Sequence, residues 1–417
     1  MHNLNTSNNL DNWSGPTGDE YGSIERLCSV SLRACQLLTP LILQIYEQLL
    51  ESLKSSDSTS SSTVQKEKKD NSAFTIADGL VQRLLIQVLF KSVTFKDIVG
   101  EEDEVDGKKG EDDASWYKVE GLDVPVDLRP LVDSTRSDIQ SLAQEHLSTN
   151  GDKNCYEHLT VFIDPIDGTR EFSTGQGHHS TVCIGFANEH GKAVGGVVYR
   201  PLSTPKSTWV AGVKSEGFGV YDFGEAAYSK KKGGGLLTTN GSISPFVESL
   251  IDELDVPRIR NGGAGNKMMI MLEKSVAGCS IDDSLFYIQD RGVSRWDTCA
   301  AEACLEAFGG KLTKMQQIVD SGDDDDDKPE DEHYTYLASQ NNLDFTPGKA
   351  SLTKYNCRSS VKDLQPNQMV TNVDQVKPYS NLCGLVAVGK EWCTAEGEMQ
   401  IQKAIQRAAA KNPPSFD

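Results

Sequence analysis

The sequence predicts an α/β (α+β) protein of two lobes, and three observations support this prediction. Apolar residues at helical spacing fill residues 21–54, as one helix or a helical pair kinked at Pro40, and again residues 78–89. Strand-like runs separated by Gly and Pro turns, a pattern typical of an antiparallel meander, follow at 181–187, 193–199 and 208–213. The length of 417 residues suits two domains or one large one.

Composition shifts along the chain predict where the lobes and insertions begin and end. A Lys- and Gly-rich stretch at 228–235 is suited to a linker, and a final strand and helix are expected at 383–390 and 398–411. The interval after residue 103 is long for a connection, with a short helix expected near 137–146. The predicted parts are a disordered N-terminus at 1–20, a first lobe at 21–235 with an insertion at about 103–157, and a second lobe at 236–417 with a disordered acidic insertion at about 316–334.

The formal net charge of -20 is concentrated in two short segments. Residues 101–113 carry -6 and residues 323–332 carry -7, so the rest of the chain is only mildly acidic. This distribution argues against a protein that wraps nucleic acid. The ten cysteines show no CxxC or Cys/His spacing, which favours reduced thiols in an intracellular protein over disulfides or zinc.

The first 20 residues predict no targeting signal. They are polar, without the apolar centre of a secretory signal, and no Lys or Arg occurs before Arg26, which disfavours a transit peptide. No run approaches the roughly 18 apolar residues of a membrane span. We therefore expect a cytoplasmic protein without a membrane partner.

The stretch VFIDPIDGTREFS at 161–173 contains candidate metal and anion ligands, and the other motifs can be related to it. Asp164 follows a short apolar strand, and Asp167 comes three residues later, before the flexible Gly168. Two carboxylates and the carbonyl of Ile166 can then point at one place, and an all-oxygen site of this kind suits Mg²⁺. Backbone N–H groups at Gly168 and Thr169 could hold an anion beside it. The alternative is a plain turn, because Asp-Pro and Asp-Gly are common turn formers.

Three further acidic positions could join this site. Asp78 and Asp297 each lie in the first turn of a predicted helix, where an acid also serves simply as a cap. Glu101 and Glu102 follow a short apolar strand, as candidate carboxylate ligands or as part of a solvent-facing acidic loop.

A glycine-rich turn, Asn261 to Lys267 (NGGAGNK), precedes an apolar helix in the second half of the chain. Such a turn can present N–H groups and a lysine to an anion. Its spacing is not GxGxxG, so a dinucleotide-binding fold is not supported.

Taken together, these motifs match a known set. The order AD, GEE, DPIDGT and WDxCAAEA resembles the lithium-sensitive, magnesium-dependent phosphatase family that includes inositol monophosphatase, inositol polyphosphate 1-phosphatase and 3'(2'),5'-bisphosphate nucleotidase. The resemblance covers roughly residues 21–411. It implies a layered α/β/α/β/α sandwich of two lobes with the site between them.

The resemblance also implies a role for each matching residue. Asp78 would pair with Thr169 to orient and deprotonate the attacking water. Gly168 and Thr169 would hold the scissile phosphate through their N–H groups, and Glu102 would lie close by as a ligand or behind the ligands. Two or three Mg²⁺ ions would be held by Glu101, Asp164, the carbonyl of Ile166, Asp167 and Asp297.

Within the family, the segments REFSTG, GGAGNK and WDTCAAEACLEAFGGKL are more similar to the bisphosphate nucleotidase branch than to the monophosphatase branch. That branch implies hydrolysis of the 3'-phosphate of adenosine 3',5'-bisphosphate, with its sulfated form as a further candidate substrate. It also implies a monomer or homodimer that acts on small molecules and not on nucleic acid polymers. Substrate contacts would come from Gly263, Gly265, Lys267 and Arg295.

One segment departs from the branch. Residues 238–244 read TTNGSIS, where the branch has a His-containing stretch. An inositol polyphosphate 1-phosphatase or inositol monophosphatase therefore stays as the alternative. A third alternative, of another class, is a metal- and anion-binding regulatory protein without catalysis.

Overall fold

The structure is a computed structural model of the 417-residue chain. It describes residues 23–54, 65–67, 73–102, 118–119, 122–147, 155–214, 218–224, 233–290, 292–320, 334–338, 378–381 and 383–414. The predictions for residues 1–20, for most of the 228–235 linker, and for the acidic runs at 103–113 and 323–332 lie outside these ranges.

Nine α-helices occur in the described ranges, and a single π-helical turn, Leu85–Leu89, extends the second. The helices are α1 Ile24–Lys54, α2 Ile76–Leu84, α3 Arg129–His146, α4 Thr169–Ser173, α5 Pro245–Leu254, α6 Ala264–Val276, α7 Arg295–Ala307, α8 Met315–Asp320 and α9 Ala395–Lys411.

Fifteen β-strands occur in the same ranges. They are β1 Gln65–Glu67, β2 Ala73–Thr75, β3 Asp97–Gly100, β4 Lys118–Val119, β5 Leu122–Asp123, β6 Thr160–Asp167, β7 Thr181–Ala187, β8 Ala193–Arg200, β9 Thr208–Val213, β10 Phe218–Asp222, β11 Gly235–Thr238, β12 Arg258–Arg260, β13 Leu285–Gln289, β14 Lys311–Lys314 and β15 Leu385–Val388.

The first large sheet has six strands in the order β10-β9-β8-β7-β6-β3. Strands β7, β8 and β9 form the predicted antiparallel meander, β10 extends it by a fourth strand, and β6 pairs antiparallel with β7. Strand β3 pairs parallel with β6 at the edge of the sheet. The carboxyl ends of β3 and β6 therefore meet, which brings two acid-bearing segments side by side.

The second large sheet has five strands in the order β12-β11-β13-β15-β14. Strands β12, β11 and β13 run parallel, and β15 pairs antiparallel with both β13 and β14. Two helices cross over between the parallel strands, α5 between β11 and β12 and α6 between β12 and β13. This pattern is typical of βαβ units.

The helices and sheets stack in five layers, α/β/α/β/α, as the resemblance implied. Residues of α1, α2 and α3 share a core with one face of the first sheet. Residues of α6 and α7 share a core with inner faces of both sheets, and α5 and α9 cover the outer face of the second sheet. Alternation along β6 assigns its side chains: Val161 and Ile163 face α1 and α2, whereas Phe162 faces α7.

Helix α7 lies unusually close to the first sheet because glycines line its path. A Cβ at Gly185 would lie 2.5 Å from the backbone N of Ala300, and one at Gly196 would lie 2.5 Å from the Cα of the same residue. Only glycine permits such an approach of helix to strand. The first turn of α7 is thereby fixed above the end of β6.

Helix α1 is continuous through Pro40, so the predicted helical pair is a single helix. Among the described helices, α1 alone has the length and composition that could cross a membrane. In this fold most of its apolar residues are buried, chiefly against β8, β9 and α3, whereas Leu43 and Leu53 are exposed.

The two predicted insertions need correction at their boundaries. The helix expected near 137–146 begins at Arg129, and its apolar side is buried in the first core, so it belongs to the layered fold. In the second insertion, residues 316–320 belong to α8, and Tyr334 is buried in the second core. Both segments contain spaced apolar residues that pack in the fold. The sequence prediction overlooked them because charged and loop-forming residues dominate the composition of these segments.

Candidate active site

Asp164 and Glu101 are brought together by the parallel pairing of β6 and β3. Gly100 pairs with Ile163, and the N–H of Glu101 donates to the carbonyl of Ile163 at 3.0 Å. Asp164 follows Ile163 on the opposite face of the strand. Its side chain is completely buried and projects toward the layer of α6 and α7.

A turn after Asp164 brings Asp167 back to the same place. The pairing of β6 with β7 is irregular between Asp164 and Asp167, and Asp167 is opposite Thr181. Gly168 then adopts φ 86° and ψ 38°, a left-handed conformation that favours glycine, and the short helix α4 begins at Thr169.

Asp297 completes a cluster of three carboxylates. It lies in the first turn of α7, and its carboxylate accepts the N–H of Ser294 in a capping box. One ligand atom from each of Asp164, Asp167 and Asp297 lies within 4.8 Å of the others. The capping role and the cluster position coexist, because a carboxylate has two oxygens.

The electrostatics of the cluster favour a cation. Neither buried oxygen of Asp164 accepts a hydrogen bond from any group in the described part of the chain. Burial, with Glu101, Asp167 and Asp297 nearby, raises the pKa of Asp164 well above its ordinary value. Burial and the neighbouring Asp167 and Glu101 likewise raise the pKa of Asp297, to about 7. A divalent cation would satisfy these oxygens and cancel their repulsion, so the donor set fits Mg²⁺.

Asp167 differs from Asp164 because its oxygens are already held. It accepts the Thr181 hydroxyl at 2.7 Å and three N–H groups at the start of α6, from Ala264 at 2.8 Å, Gly265 at 2.9 Å and Asn266 at 3.3 Å. Burial raises its pKa, and these donors oppose the shift. The glycine-rich turn therefore holds a carboxylate of the protein itself, an interaction that the sequence prediction had assigned to a substrate anion.

The predicted glycines allow this contact. A Cβ at Gly263 would lie 2.7 Å from Oδ2 of Asp167, and a Cβ at Gly265 would lie 2.6 Å from Sγ of Cys183. Gly263 also has φ 65° and lies against Gly168. Gly263 thus borders the candidate phosphate turn, and Gly265 borders the carboxylate of Asp167.

Asp78 and Thr169 form the expected pair. Oδ2 of Asp78 accepts the N–H and hydroxyl of Thr75, at 2.8 and 2.6 Å. Oδ1 of Asp78 is 3.0 Å from the Thr169 hydroxyl, which also lies 2.9 Å from the carbonyl of Ile166. The Thr169 hydroxyl can donate to either acceptor, and its oxygen can at the same time accept a hydrogen bond from another molecule.

Lys267 is buried at the inner side of the cluster. Burial lowers its pKa, and the nearby carboxylates of Asp167, Glu171 and Asp297 oppose the shift. Its Nζ lies 4.8 Å from the ring centre of Tyr287. A buried ammonium at this position supplies positive charge beside three carboxylates.

Arg295 is placed differently from the expectation that it meets a substrate phosphate. It is fully buried, its guanidinium stacks on the ring of Tyr334 at 3.9 Å, and it donates to the carbonyl of Thr335 at 2.5 Å. Residues two apart on a helix point about 200° apart, so Arg295 projects away from Asp297. Its contacts join α7 to the segment at 334–338.

Several supporting residues were missed by the sequence analysis. A Thr or Ser three positions before an acid is a capping-box signal that could have identified Thr75 and Ser294. Thr181 bonds Asp167 from a neighbouring strand, and Gln82 bonds the backbone of Glu102 from α2. Glu171 is buried beneath Gly262 and accepts the amide of Asn240 at 3.0 Å. Contacts between distant segments leave no local pattern.

Comparisons with known proteins place the chain in a family. The model of the inositol monophosphatase family matches residues 127–339, just over half of the chain. Human 3'(2'),5'-bisphosphate nucleotidase 1 is 31% identical over 254 residues, 59% of this chain and 72% of the human protein. Inositol monophosphatase 3 of Danio rerio is 26% identical over 245 residues, 53% of this chain and 69% of that protein.

A solved structure from Pyrococcus horikoshii, of a hypothetical protein with similarities for inositol-1 monophosphatase, covers 92% of this chain and 99% of its own, with 11% identity and a TM-score of 0.45. From the extent of the family match and the similarity to the human protein, the chain is a member of the inositol monophosphatase family of phosphatases.

Proposed function

We propose that this phosphatase hydrolyses the 3'-phosphate of adenosine 3',5'-bisphosphate, with Mg²⁺, to AMP and phosphate. The observation that carries the proposal is the cluster of Asp164, Asp167 and Asp297 within 4.8 Å, next to the paired side chains of Asp78 and Thr169. A carboxylate cluster and a hydroxyl held by a further carboxylate are the parts that metal-assisted hydrolysis of a phosphate ester needs.

In this proposal two or three Mg²⁺ ions are held by the oxygens of Glu101, Asp164, Ile166, Asp167 and Asp297, with Glu102 close by. When bound, such ions lower the pKa of a water ligand and neutralise charge on the phosphoryl group.

The residues of the chain orient the water, accept its proton and bind the phosphate. The Thr169 oxygen accepts a hydrogen bond from the attacking water and so orients it. As the water attacks, its proton passes to the Thr169 oxygen while the Thr169 hydroxyl proton passes to the carboxylate of Asp78. The N–H groups of Gly168 and Thr169 hold the phosphate at the turn before α4. No covalent intermediate is needed.

Sequence similarity supports the choice of substrate. The human relative is named a 3'(2'),5'-bisphosphate nucleotidase, and the GGAGNK segment is similar to that branch. We place the nucleotide against Gly263 and Gly265, with Lys267 supplying positive charge for the second phosphate. Arg295 has no part in this proposal because its guanidinium is occupied in the core. We further propose a cytoplasmic monomer or homodimer.

A phosphate-release assay tests the proposal. The purified protein is given adenosine 3',5'-bisphosphate, its 5'-phosphosulfate analogue, inositol 1,4-bisphosphate and inositol 1-phosphate, with and without Mg²⁺, and then with millimolar Li⁺. We expect Mg²⁺-dependent release, fastest from the nucleotides, and inhibition by Li⁺ through competition for a metal position. Equal turnover without Mg²⁺ would contradict the proposed metal site.

An inositol phosphate is the second candidate substrate. The similarity to the Danio rerio inositol monophosphatase 3 and the absence of His from residues 238–244 favour it. Faster turnover of inositol 1,4-bisphosphate than of the nucleotides in the same assay would make the inositol phosphate the preferred substrate. Mg²⁺ binding without phosphate release from any ester would instead indicate a regulatory, non-catalytic protein.

A further inference from the structure

The side chain of Gln82 forms hydrogen bonds with the backbone of the segment that carries Glu101 and Glu102. Gln82 lies on α2, one helical turn after Asp78, and is 7% exposed. Its side-chain carbonyl accepts the N–H of Glu102 at 2.9 Å, and its NH₂ group donates to the carbonyl of Glu102. One side-chain amide therefore binds both polar backbone groups of a single residue.

The reason lies in the position of β3 at the edge of the first sheet. The N–H of Glu101 donates to β6, so the backbone groups of the next residue, Glu102, point to the opposite side, away from the sheet. Buried backbone groups need partners. A glutamine amide carries a donor and an acceptor in one plane, like a peptide group, and here it takes the place of a neighbouring strand.

The surroundings of Gly100 show independently that the amide of Gln82 packs closely against this segment. A Cβ at Gly100 would lie 2.4 Å from both Cδ and Oε1 of Gln82. The chain at Gly100 therefore passes directly over the glutamine amide, with no room for a side chain.

We infer that Gln82 is a positioning residue that holds Glu101 at the proposed metal site, and that Gly100 is required because Gln82 occupies the space of its Cβ. This inference rests on the proposed function in one respect, namely that Glu101 is a Mg²⁺ ligand. Since α2 also carries Asp78, Gln82 links the helix of the proton-accepting pair to the segment that carries Glu101.

Isothermal titration calorimetry with Mg²⁺ on the whole protein tests the inference. Gln82→Met has nearly the volume of glutamine but no amide, and we expect about ten-fold weaker Mg²⁺ binding, the usual effect of removing a group that orients a ligand. Gly100→Ala should weaken Mg²⁺ binding similarly by displacing the amide. Added Mg²⁺ should restore kcat, while KM for the ester at saturating Mg²⁺ stays within two-fold of wild type.

A double-mutant cycle separates positioning from general damage. In Gln82→Ala, space opens above Gly100, so adding Gly100→Ala should cost much less Mg²⁺ affinity than it does in the wild type. The matched control is Gln406→Met, because that glutamine also donates to a backbone carbonyl, of Ile318 at 3.3 Å, but on α9. It should leave Mg²⁺ affinity unchanged.

Circular dichroism shows whether each variant is folded. If Gln82→Met does not fold, Gln82→Glu replaces it, since it keeps an acceptor for the N–H of Glu102 and loses the donor. Wild-type Mg²⁺ affinity in a Gln82 variant and in Gly100→Ala overturns this inference alone. Absence of Mg²⁺ binding by the wild type overturns the proposed function, and the inference with it.

Discussion

At the scale of single residues, Asp164 is held in an arrangement that lowers stability while no cation balances it. Its two oxygens are buried without a hydrogen-bond donor from the described residues, and two further carboxylates lie within 4.8 Å. A buried carboxylate without a partner is unfavourable. A bound cation would relieve this unfavourable arrangement, so the ion-free protein is expected to be less stable than the cation-bound protein.

Replacing Asp164 by Asn tests this balance. We expect Asp164→Asn to abolish Mg²⁺-dependent phosphate release, and to raise the free energy of unfolding without Mg²⁺ by about 1–3 kcal/mol, because one like charge is removed. Urea unfolding with and without Mg²⁺ measures the effect. Asp252→Asn on the exposed side of α5 is the control and should change neither quantity. An active Asp164→Asn enzyme would remove Asp164 from the site.

A change at Thr169 should have a different effect, because in the proposed function its hydroxyl orients the attacking water. Asp78 keeps both bonds from Thr75 when Thr169 is changed, so its position should hold. We expect Thr169→Ala to lower kcat at least 100-fold with a much smaller change in KM, since the activated water is needed in the transition state. Thr169→Ser should recover most of kcat. A change confined to KM would contradict the proposed role.

The candidate acids could be found from the sequence because each follows a strand or opens a helix, where side chains are aimed predictably. Their partners could not. Thr181 and Gln82 reach their hydrogen-bond partners across a strand pairing and a helix-to-strand contact, which local patterns do not encode. Arg295 shows the opposite error, because adjacency in sequence to Asp297 suggested a shared site that helix geometry excludes.

At the scale of elements, the start of α6 is a binding site for Asp167. The three N–H groups at Ala264, Gly265 and Asn266 are those that a helix leaves without internal partners, and the helix dipole adds to their attraction for a carboxylate. Asp167 lies at the end of β6 in the first sheet, whereas α6 lies in the helical layer between the two sheets. The position of α6 and the geometry of the acidic cluster are therefore coupled.

Gly265→Ala should disturb this coupling. The new Cβ would lie 2.6 Å from Sγ of Cys183 and 3.1 Å from Oγ1 of Thr181, so α6 must shift away from Asp167. We expect a loss of about 1–3 kcal/mol in urea unfolding, as for other overpacked sites, together with weaker Mg²⁺ binding. Cys183→Ala in the same chain should recover part of both losses. No recovery would show that Cys183 is not the obstacle.

The meander and the last helix were predictable because their apolar periods are clear in the sequence. Helix α3 was predicted too short because its first two turns contain a proline and few apolar residues, and only packing against α1 shows which side is buried. The parallel pairing of β3 with β6 lay beyond the sequence, since about sixty residues separate the two strands.

At the scale of the whole molecule, the central helical layer joins both sheets, and α7 in this layer carries a buried acid, Glu302, five residues after Asp297. Glu302 is 2% exposed and accepts the hydroxyl of Tyr336, from the segment at 334–338. Burial, with the nearby Glu306, raises the pKa of Glu302 to about 8. The proton that Glu302 holds in the folded chain is released when the chain unfolds.

This group should make global stability depend on pH. The unfolded pKa of a glutamate is about 4.3, so between that value and about 8 the folded chain binds more protons than the unfolded chain. The contribution of Glu302 to stability is therefore complete below the unfolded pKa and is lost as pH rises through the folded pKa, by about 5 kcal/mol in total.

Glu302→Gln should remove this part of the pH dependence, because glutamine keeps an acceptor for Tyr336 and does not titrate. The measurement is the free energy of unfolding in urea at pH 5.5 and pH 8.5 for wild type, Glu302→Gln and the exposed control Glu396→Gln. The acidic cluster also titrates in this range, so the difference between variant and wild type isolates Glu302. We expect the wild type and the control to lose more stability with rising pH than Glu302→Gln does, and parallel curves for all three would assign the pH dependence to the acidic cluster instead.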